Sequence, residues 1–237
     1  MLTPEPSGLA TTVQASERGA ALALLPIAAT VGYYLLPASL QKQVLLQFAP
    51  QILAYLALAL WATHNRPVLP LLALHPQGLK SGFRWGLMIG LVLGILNTIL
   101  ILKAIPAMGF DTTFLKDTPH ARIPLAIMLP WFILCIALFV EVNFRGFLLG
   151  RLAVLESHLW QSPLLQRLSP LTLIASAVAF SFDPFMVATF QHLHWIAISD
   201  GLVWGRVRLK TNNLYIPIVA HAVEVIVMYS AVRVALG

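Results

Sequence analysis

The uncharged apolar run from Ile123 to Val140 constrains the fold of this chain more than any other feature. A run of this length can cross the hydrocarbon layer of a membrane as an α-helix. The composition agrees, since 59% of the residues are hydrophobic and only 10% are charged, whereas soluble domains average about 25% charged residues. The sequence therefore predicts a multi-pass integral membrane protein that folds as an all-α helix bundle.

An ionisable pair follows this run directly. Glu141 and Arg145 are four residues apart, a spacing that places both side chains on one face of a helix. Charged groups at membrane depth are costly, and they normally face the interior of a bundle or a water-filled cavity. The pair therefore predicts a polar site that the other helices enclose.

Further apolar runs predict about seven membrane spans, with six to eight as the range. The clearest runs are Ala20–Leu36, Val44–Thr63, Trp85–Leu102, Ile123–Leu149 and Leu214–Leu236. Another span begins at Leu171, after a helix start at Ser169-Pro170, and Pro184 interrupts it. Residues 185–205 hold either one span or two.

The remaining segments are predicted to lie outside the hydrocarbon layer. Residues 1–19 form a flexible tail in this interpretation, and residues 211–213 form a turn. The predicted connectors are His64–Arg84, Lys103–Arg122 and Arg151–Leu168.

The basic residues predict the orientation. With seven spans, more Lys and Arg side chains fall in the loops on the side of the amino terminus, which places that terminus in the cytoplasm. The net charge of +6 then indicates contact with anionic membrane lipid. No basic run with interleaved aromatic residues points to nucleic acid, and the single Cys135 cannot form an internal disulfide.

Three glycines in the third predicted span share one helix face. Gly86, Gly90 and Gly94 repeat at four-residue spacing, which predicts a smooth face against which another helix packs closely.

Histidines and carboxylates within apolar runs are the remaining candidates for chemistry. His221 and Glu224 share a helix face, and His192 and His194 lie close together in a broken apolar segment. Structural roles stay open for all of them, including turn chemistry for Asp200. The spacings of the common zinc and calcium motifs are absent, so neither a metal nor another cofactor is predicted.

The order of these motifs resembles that of the CPBP family, which comprises the CAAX proteases and bacteriocin-processing enzymes. The segments that carry the resemblance are Glu141-Val142-Asn143-Phe144-Arg145-Gly146, Gly201-Leu202-Val203-Trp204-Gly205, Thr211-Asn212-Asn213-Leu214-Tyr215-Ile216-Pro217-Ile218 and His221-Ala222. The likeness covers roughly residues 123–230. It implies a single membrane domain in which residues 20–122 are amino-terminal spans and residues 123–237 are the family core.

The chain departs from the family pattern at two positions that carry chemistry. Val140 stands where the family has a water-activating glutamate, and Val225 stands where it has an asparagine. The family's middle histidine corresponds to Pro184 when it is aligned by its distance to Gly201, and to His194 when it is aligned by motif.

The resemblance implies a glutamic-type intramembrane endopeptidase that cleaves a membrane-anchored peptide or protein. Glu141 would then activate water, His194 would assist it, His221 would stabilise the oxyanion and Arg145 would orient the site. His192 and Glu224 are the substitutes for missing groups. The alternative is a catalytically inactive scaffold or assembly factor within a membrane protein complex, which Val140, Val225 and the glycine face favour.

Overall fold

The computed structural model describes residues 17–159 and 171–236, and the described chain is helical with no strand. Its main helices, numbered in chain order, are α1 (Ala20–Tyr34), α2 (Val44–His64), α3 (Pro76–Ala107), α4 (Ala126–His158), α5 (Leu171–Ser181), α6 (Pro184–Leu193), α7 (Ile196–Thr211) and α8 (Tyr215–Leu236). Single helical turns join several of them. The structure confirms the predicted all-α bundle.

Length and apolar composition decide which of these helices can span a membrane. Among the described residues, α2, α3, α4 and α8 pass this test, and the bent pair α5–α6 adds a fifth span if it is counted as one. The α1 helix is apolar but shorter. The predicted total of seven spans therefore stays a prediction.

The α3 helix is longer than the sequence pattern predicts at both ends. Lys80 and Arg84 lie within its first turns, although residues 64–84 were expected to form a loop, and Lys103 lies near its end. All three side chains are exposed. Long basic side chains at the ends of a span can extend to the membrane surface, so their charge does not end the helix.

The α4 helix also continues through the segment that was expected to be a surface connector. Residues 151–158 are helical, and Arg151 is only 2% exposed. Its Nε lies 2.5 Å from the Glu17 carboxylate, and its guanidinium covers the Trp61 ring at 4.3 Å. The predicted connector is thus wrong over this part because a distant acidic residue compensates the charge. Residues 160–168 and the predicted helix start at Ser169-Pro170 lie outside the described residues.

The glycine face of α3 packs against α8, as its spacing predicts. A Cβ atom added to Gly90 would lie 2.5 Å from the Ala220 carbonyl oxygen, and one added to Gly86 would lie 2.7 Å from the Ile216 carbonyl oxygen. Only glycine permits this approach of two helix backbones. The two helices run together over most of their length, which fixes the position of α8 in the bundle.

The chain breaks at Pro184, where the sequence predicts an interruption. The α5 and α6 helices meet at an angle of 56°, and Asp183 caps α6 by accepting hydrogen bonds from the backbone N–H groups of Phe185 and Met186. The α7 helix then runs to Thr211 and ends at Asn212, which has a left-handed backbone (φ 47°). Residues 206–211 are therefore helical, and the predicted turn at residues 211–213 is confined to its last two positions.

Candidate functional site

Three side chains from two helices meet at the centre of the site. Arg145 donates a hydrogen bond from Nη1 to Oε1 of Glu141 (3.0 Å), and Nδ1 of His221 lies 2.8 Å from the same oxygen. Glu141 and Arg145 are on α4, whereas His221 is on α8. Glu141 is 0% exposed and Arg145 is 1% exposed. A carboxylate can only accept a hydrogen bond, so an ionised Glu141 fixes Nδ1 of His221 as the donor and leaves Nε2 for other contacts.

Aromatic rings enclose this cluster on its other sides. The Trp204 ring stacks on the His221 ring with a centroid separation of 4.7 Å and an interplanar angle of 21°. The Arg145 guanidinium lies 4.1 Å from the Phe180 ring and 5.0 Å from the Trp204 ring. A cation over an aromatic face is stabilised electrostatically, so the rings hold both the charge of Arg145 and the plane of His221.

A cavity of about 410 Å³ lies beside the cluster, between the helices. Most of its wall is apolar, and the polar groups are few. The polar side chains on its wall are Gln51, Tyr55, Asn97, His120, Asp183, His194, Asp200, His221, Glu224 and Tyr229, together with the indoles of Trp131 and Trp204 and the thiol of Cys135. Apolar pockets with a small number of convergent polar groups are typical of binding and active sites.

Two carboxyl groups and one amide converge at the cavity wall. Nδ2 of Asn97 lies 2.8 Å from Oε1 of Glu224, and 3.1 Å and 3.2 Å from the two oxygens of Asp200. Both carboxyl groups lie within hydrogen-bond distance of the same amide nitrogen, so they are close neighbours. Both are buried, with 6% and 5% of their residue surfaces exposed. Two neighbouring buried carboxyl groups do not both ionise readily.

The candidates named from the sequence fall into different places. Glu141, Arg145 and His221 are in contact with one another. Glu141 is not on the cavity wall, however, although it was expected to activate water there. His194 lines the cavity, but its Nδ1 is bonded to the Gln191 carbonyl at 2.6 Å.

The two residues named as substitutes for missing groups, His192 and Glu224, lie in different places. His192 is exposed and packs against Phe110 and Phe114, while Glu224 lines the cavity. Val140 and Val225 line it as well. The family's glutamate and asparagine would therefore face this chamber, and here two apolar side chains do so.

Asn97 is a site residue that sequence reasoning missed. Its signal was weak: an amide three residues after Gly94, on the helix face that packs against α8. Asp200 was expected to take part in a turn, but it lies in the first turns of α7 with its side chain buried at the cavity. Among the described residues, no group of three His, Cys, Asp or Glu side chains is placed to hold a metal ion.

His120 lies on the cavity wall in a short helix outside the spans. Burial lowers the pKa of its imidazole below the usual 6.5. The Tyr229 ring lies 5.8 Å from it. His120 is therefore held in its neutral form at neutral pH.

The comparison with protein families agrees with the motif order. Residues 122–227 match the family described as Type II CAAX prenyl endopeptidase Rce1-like. Residues 122–227, slightly less than half of the chain, are therefore similar to this family. The matched region runs from the start of α4 into α8 and contains Glu141, Arg145, Asp200, His221 and Glu224. No curated protein and no solved structure matches the chain.

The match supports a relationship of residues 122–227 to membrane endopeptidases of the CAAX-protease type. The apolar helices agree with an integral membrane location. Val140 and Val225 depart from the family pattern at two positions that carry its chemistry.

Proposed function

We propose that this protein is an endopeptidase that cleaves a membrane-anchored peptide within the cavity between its helices. The observation that carries the proposal is the presentation of His221 at a chamber of about 410 Å³. Oε1 of Glu141 lies 2.8 Å from Nδ1 of the imidazole, and the Trp204 ring stacks on its face. A histidine fixed in this way has the orientation and the preferred tautomer of an acid–base or oxyanion group.

In this proposal Glu141 is a positioning residue. Its buried carboxylate accepts from Nδ1 of His221 and thereby stabilises an imidazolium form that donates from Nε2 to the developing oxyanion. Arg145 compensates the charge of Glu141 and fixes its rotamer. His194 remains a candidate for contact with substrate because it lines the same cavity.

The substrate class follows from the family and the cavity. The family description names CAAX prenyl endopeptidases, and an apolar wall suits a peptide that carries a lipid anchor. Purified full-length protein in liposomes should cleave at least one fluorogenic peptide from a panel with different lipid anchors and carboxyl-terminal sequences. His221→Ala should lower kcat/KM on that peptide by about a hundredfold or more.

His64→Ala is the matched control, because His64 is exposed and its ring is bonded, among the described residues, only to the neighbouring Thr63 and to the Leu60 carbonyl. It should retain wild-type activity. A wild-type protein that cleaves no peptide of the panel, or a His221→Ala variant that cleaves as fast as wild type, would contradict the proposal.

The second candidate is an inactive scaffold in a membrane protein complex. Val140 and Val225 on the cavity wall favour it, since neither side chain can move a proton or bind an oxyanion. The glycine face of α3 no longer supports it, because α8 of the same chain covers that face. The peptide assay separates the two candidates, and co-purification from native membranes would identify a complex.

The orientation is part of the proposal. Excess basic side chains on the amino-terminal side support a cytoplasmic amino terminus. A protease-protection assay on sealed vesicles with an amino-terminal tag measures it, and a tag that is digested only from the outer face of cells would contradict it.

A further inference from the structure

The polar end of the cavity holds a carboxyl pair that the family motifs do not include. Asp200 comes from α7 and Glu224 comes from α8, and Asn97 from α3 donates to both. Three helices thus bring these groups together in the wall of the chamber that also presents His221. Burial of carboxyl groups costs free energy unless hydrogen bonds or a shared proton compensate it.

One amide cannot satisfy two carboxyl groups. Asn97 has two N–H donors on a single nitrogen, whereas the pair offers four oxygens. Both groups lie within hydrogen-bond distance of the Asn97 amide nitrogen, so they are close neighbours in a buried wall. Two neighbouring carboxyl groups do not both ionise readily, so the pair carries one proton and one negative charge.

Two further polar groups at the cavity have no partner. Oε2 of Glu224 accepts no hydrogen bond from any described donor, and Nε1 of Trp204 donates to no described acceptor. Trp204 is 2% exposed and lines the same cavity. Buried polar atoms are nearly always bonded to protein or to ordered water, so each of these atoms is available to a polar group that enters the cavity.

Only one negative charge remains uncompensated in the cluster when the pair is monoanionic. Glu141 and Arg145 form an ion pair at 3.0 Å, so their charges cancel. A buried site with one uncompensated charge is less costly than a site with two.

We propose that Asp200 and Glu224 form the acid–base pair that activates water for peptide-bond hydrolysis in this protein. The inference rests on the proposed endopeptidase function and assigns it a base, since Val140 occupies the position of the family glutamate. The pair is thus an aspartic-type arrangement within a glutamic-type fold.

The step balances as follows. The ionised oxygen of the pair takes a proton from water while the water oxygen bonds to the scissile carbonyl carbon. The carbonyl oxygen becomes an oxyanion that Nε2–H of His221 and Nε1–H of Trp204 stabilise. The pair then gives a proton to the leaving nitrogen as the C–N bond breaks, and the products are a carboxylic acid and an amine.

The test uses the full-length protein in liposomes and the peptide that the wild-type protein cleaves. Asp200→Asn and Glu224→Gln keep the shape of each side chain and remove its acid–base capacity. Each should lower kcat by about a hundredfold or more. Asp117→Asn is the matched control, because this exposed carboxylate forms an ion pair with Arg122 at 2.9 Å and with no other residue in the described part of the chain.

The pH profile gives a second readout that does not require these variants to fold. The wild-type rate should fall at acidic pH, where both carboxyl groups are protonated. The groups that face the pair are Asn97, Arg145, Glu141 and His221. Asn97→Ala removes the amide donor and should move the acidic limb to higher pH, because hydrogen bonds to a carboxylate favour its ionised form.

The outcomes separate the two proposals. If the wild-type protein is active and both Asp200→Asn and Glu224→Gln cleave as fast as it does, the role of the carboxyl pair is overturned. The endopeptidase function is then retained. The role of the pair is also overturned if the wild-type rate does not fall at acidic pH, or if this fall occurs at the same pH in Asn97→Ala. A wild-type protein without any activity would overturn the endopeptidase and the pair together.

Discussion

The packing of α3 on α8 makes a quantitative prediction about Gly90. An added Cβ would lie 2.5 Å from the Ala220 carbonyl oxygen and 2.9 Å from the Ala220 Cα, whereas ordinary contact begins at 3.4 Å. Both atoms belong to the backbone and cannot rotate away. The two helices would have to separate by about 0.9 Å at this point.

Gly90→Ala therefore has two opposing effects on the free energy of unfolding. Overpacking at a close contact costs about 1–3 kcal/mol. Alanine within a helix gains about 0.5–1 kcal/mol over glycine. Gly32→Ala on α1 is the matched control, because no neighbouring atom of the described segments lies within 4 Å of its added Cβ, and this variant receives the gain alone. The two variants should differ by the overpacking cost, about 1–3 kcal/mol.

Equilibrium unfolding in mixed micelles, followed by tryptophan fluorescence and circular dichroism, measures this difference. Peptidase activity should fall in Gly90→Ala as well, because Ala220 directly precedes His221 on the displaced helix. Equal stability of the two variants would refute the close packing of α3 on α8. A stable Gly90→Ala variant with wild-type activity would also contradict the dependence of His221 on this contact.

Three further predictions concern charge and pH, and the same unfolding assay measures them. Glu17→Ala should destabilise the protein by about 3–5 kcal/mol, because it leaves the buried Arg151 unpaired; an effect below about 1 kcal/mol would contradict the role of this pair. Arg145→Met should cost a similar amount, because Glu141 keeps only its contact with an imidazole, and a neutral effect would argue against an ionised Glu141. The lowered pKa of His120 means that the unfolded chain binds its proton first, so stability should decrease as the pH falls through 6.5 towards the folded-state pKa. His120→Gln should reduce this decrease, and identical pH dependence in the variant would refute it.

Local patterns were sufficient for much of the fold. Uncharged runs identified the cores of the spans, Pro184 marked the bend between α5 and α6, and the spacing of Gly86, Gly90 and Gly94 predicted a tightly packed helix face. Each feature acts within one helix, through hydrophobicity, a missing N–H or a missing side chain. A sequence displays such features directly.

The ends of the helices required tertiary information. Arg151 looked like the first residue of a surface connector, but Glu17 and Trp61 bury its charge from elsewhere in the chain. Lys80 and Arg84 looked like loop residues, although long basic side chains at a span end reach the membrane surface. A charged residue therefore marks the end of a helix only when nothing else in the fold compensates it.

For the candidate site, too, contacts within one helix were predictable from the sequence, whereas contacts between helices were not. The four-residue spacing of Glu141 and Arg145 predicted their contact, and motif order brought His221 into the same set. The spacing did not reveal which side chain of a helix turn faces the chamber: Val140 does so, whereas its neighbour Glu141 points to His221 and Arg145. The contacts of Asn97 join three helices, and the local sequence around Asn97 does not predict its partners on the other two.

The distribution of polar side chains around the cavity argues for displaced chemistry over lost chemistry. If the site had simply decayed after valine replaced the glutamate and asparagine at positions 140 and 225, the chamber would only need apolar packing. Buried Asp200 and Glu224 would then be a liability, because apolar residues of similar volume in place of buried ionisable groups are often neutral or stabilising by about 1–4 kcal/mol. The chain instead holds both carboxyl groups at the cavity wall through the Asn97 amide, and the same cavity also presents a His221 ring that stacks on Trp204. Such an arrangement is costly for a scaffold and useful for a hydrolase, and the activities of Asp200→Asn and Glu224→Gln decide between them.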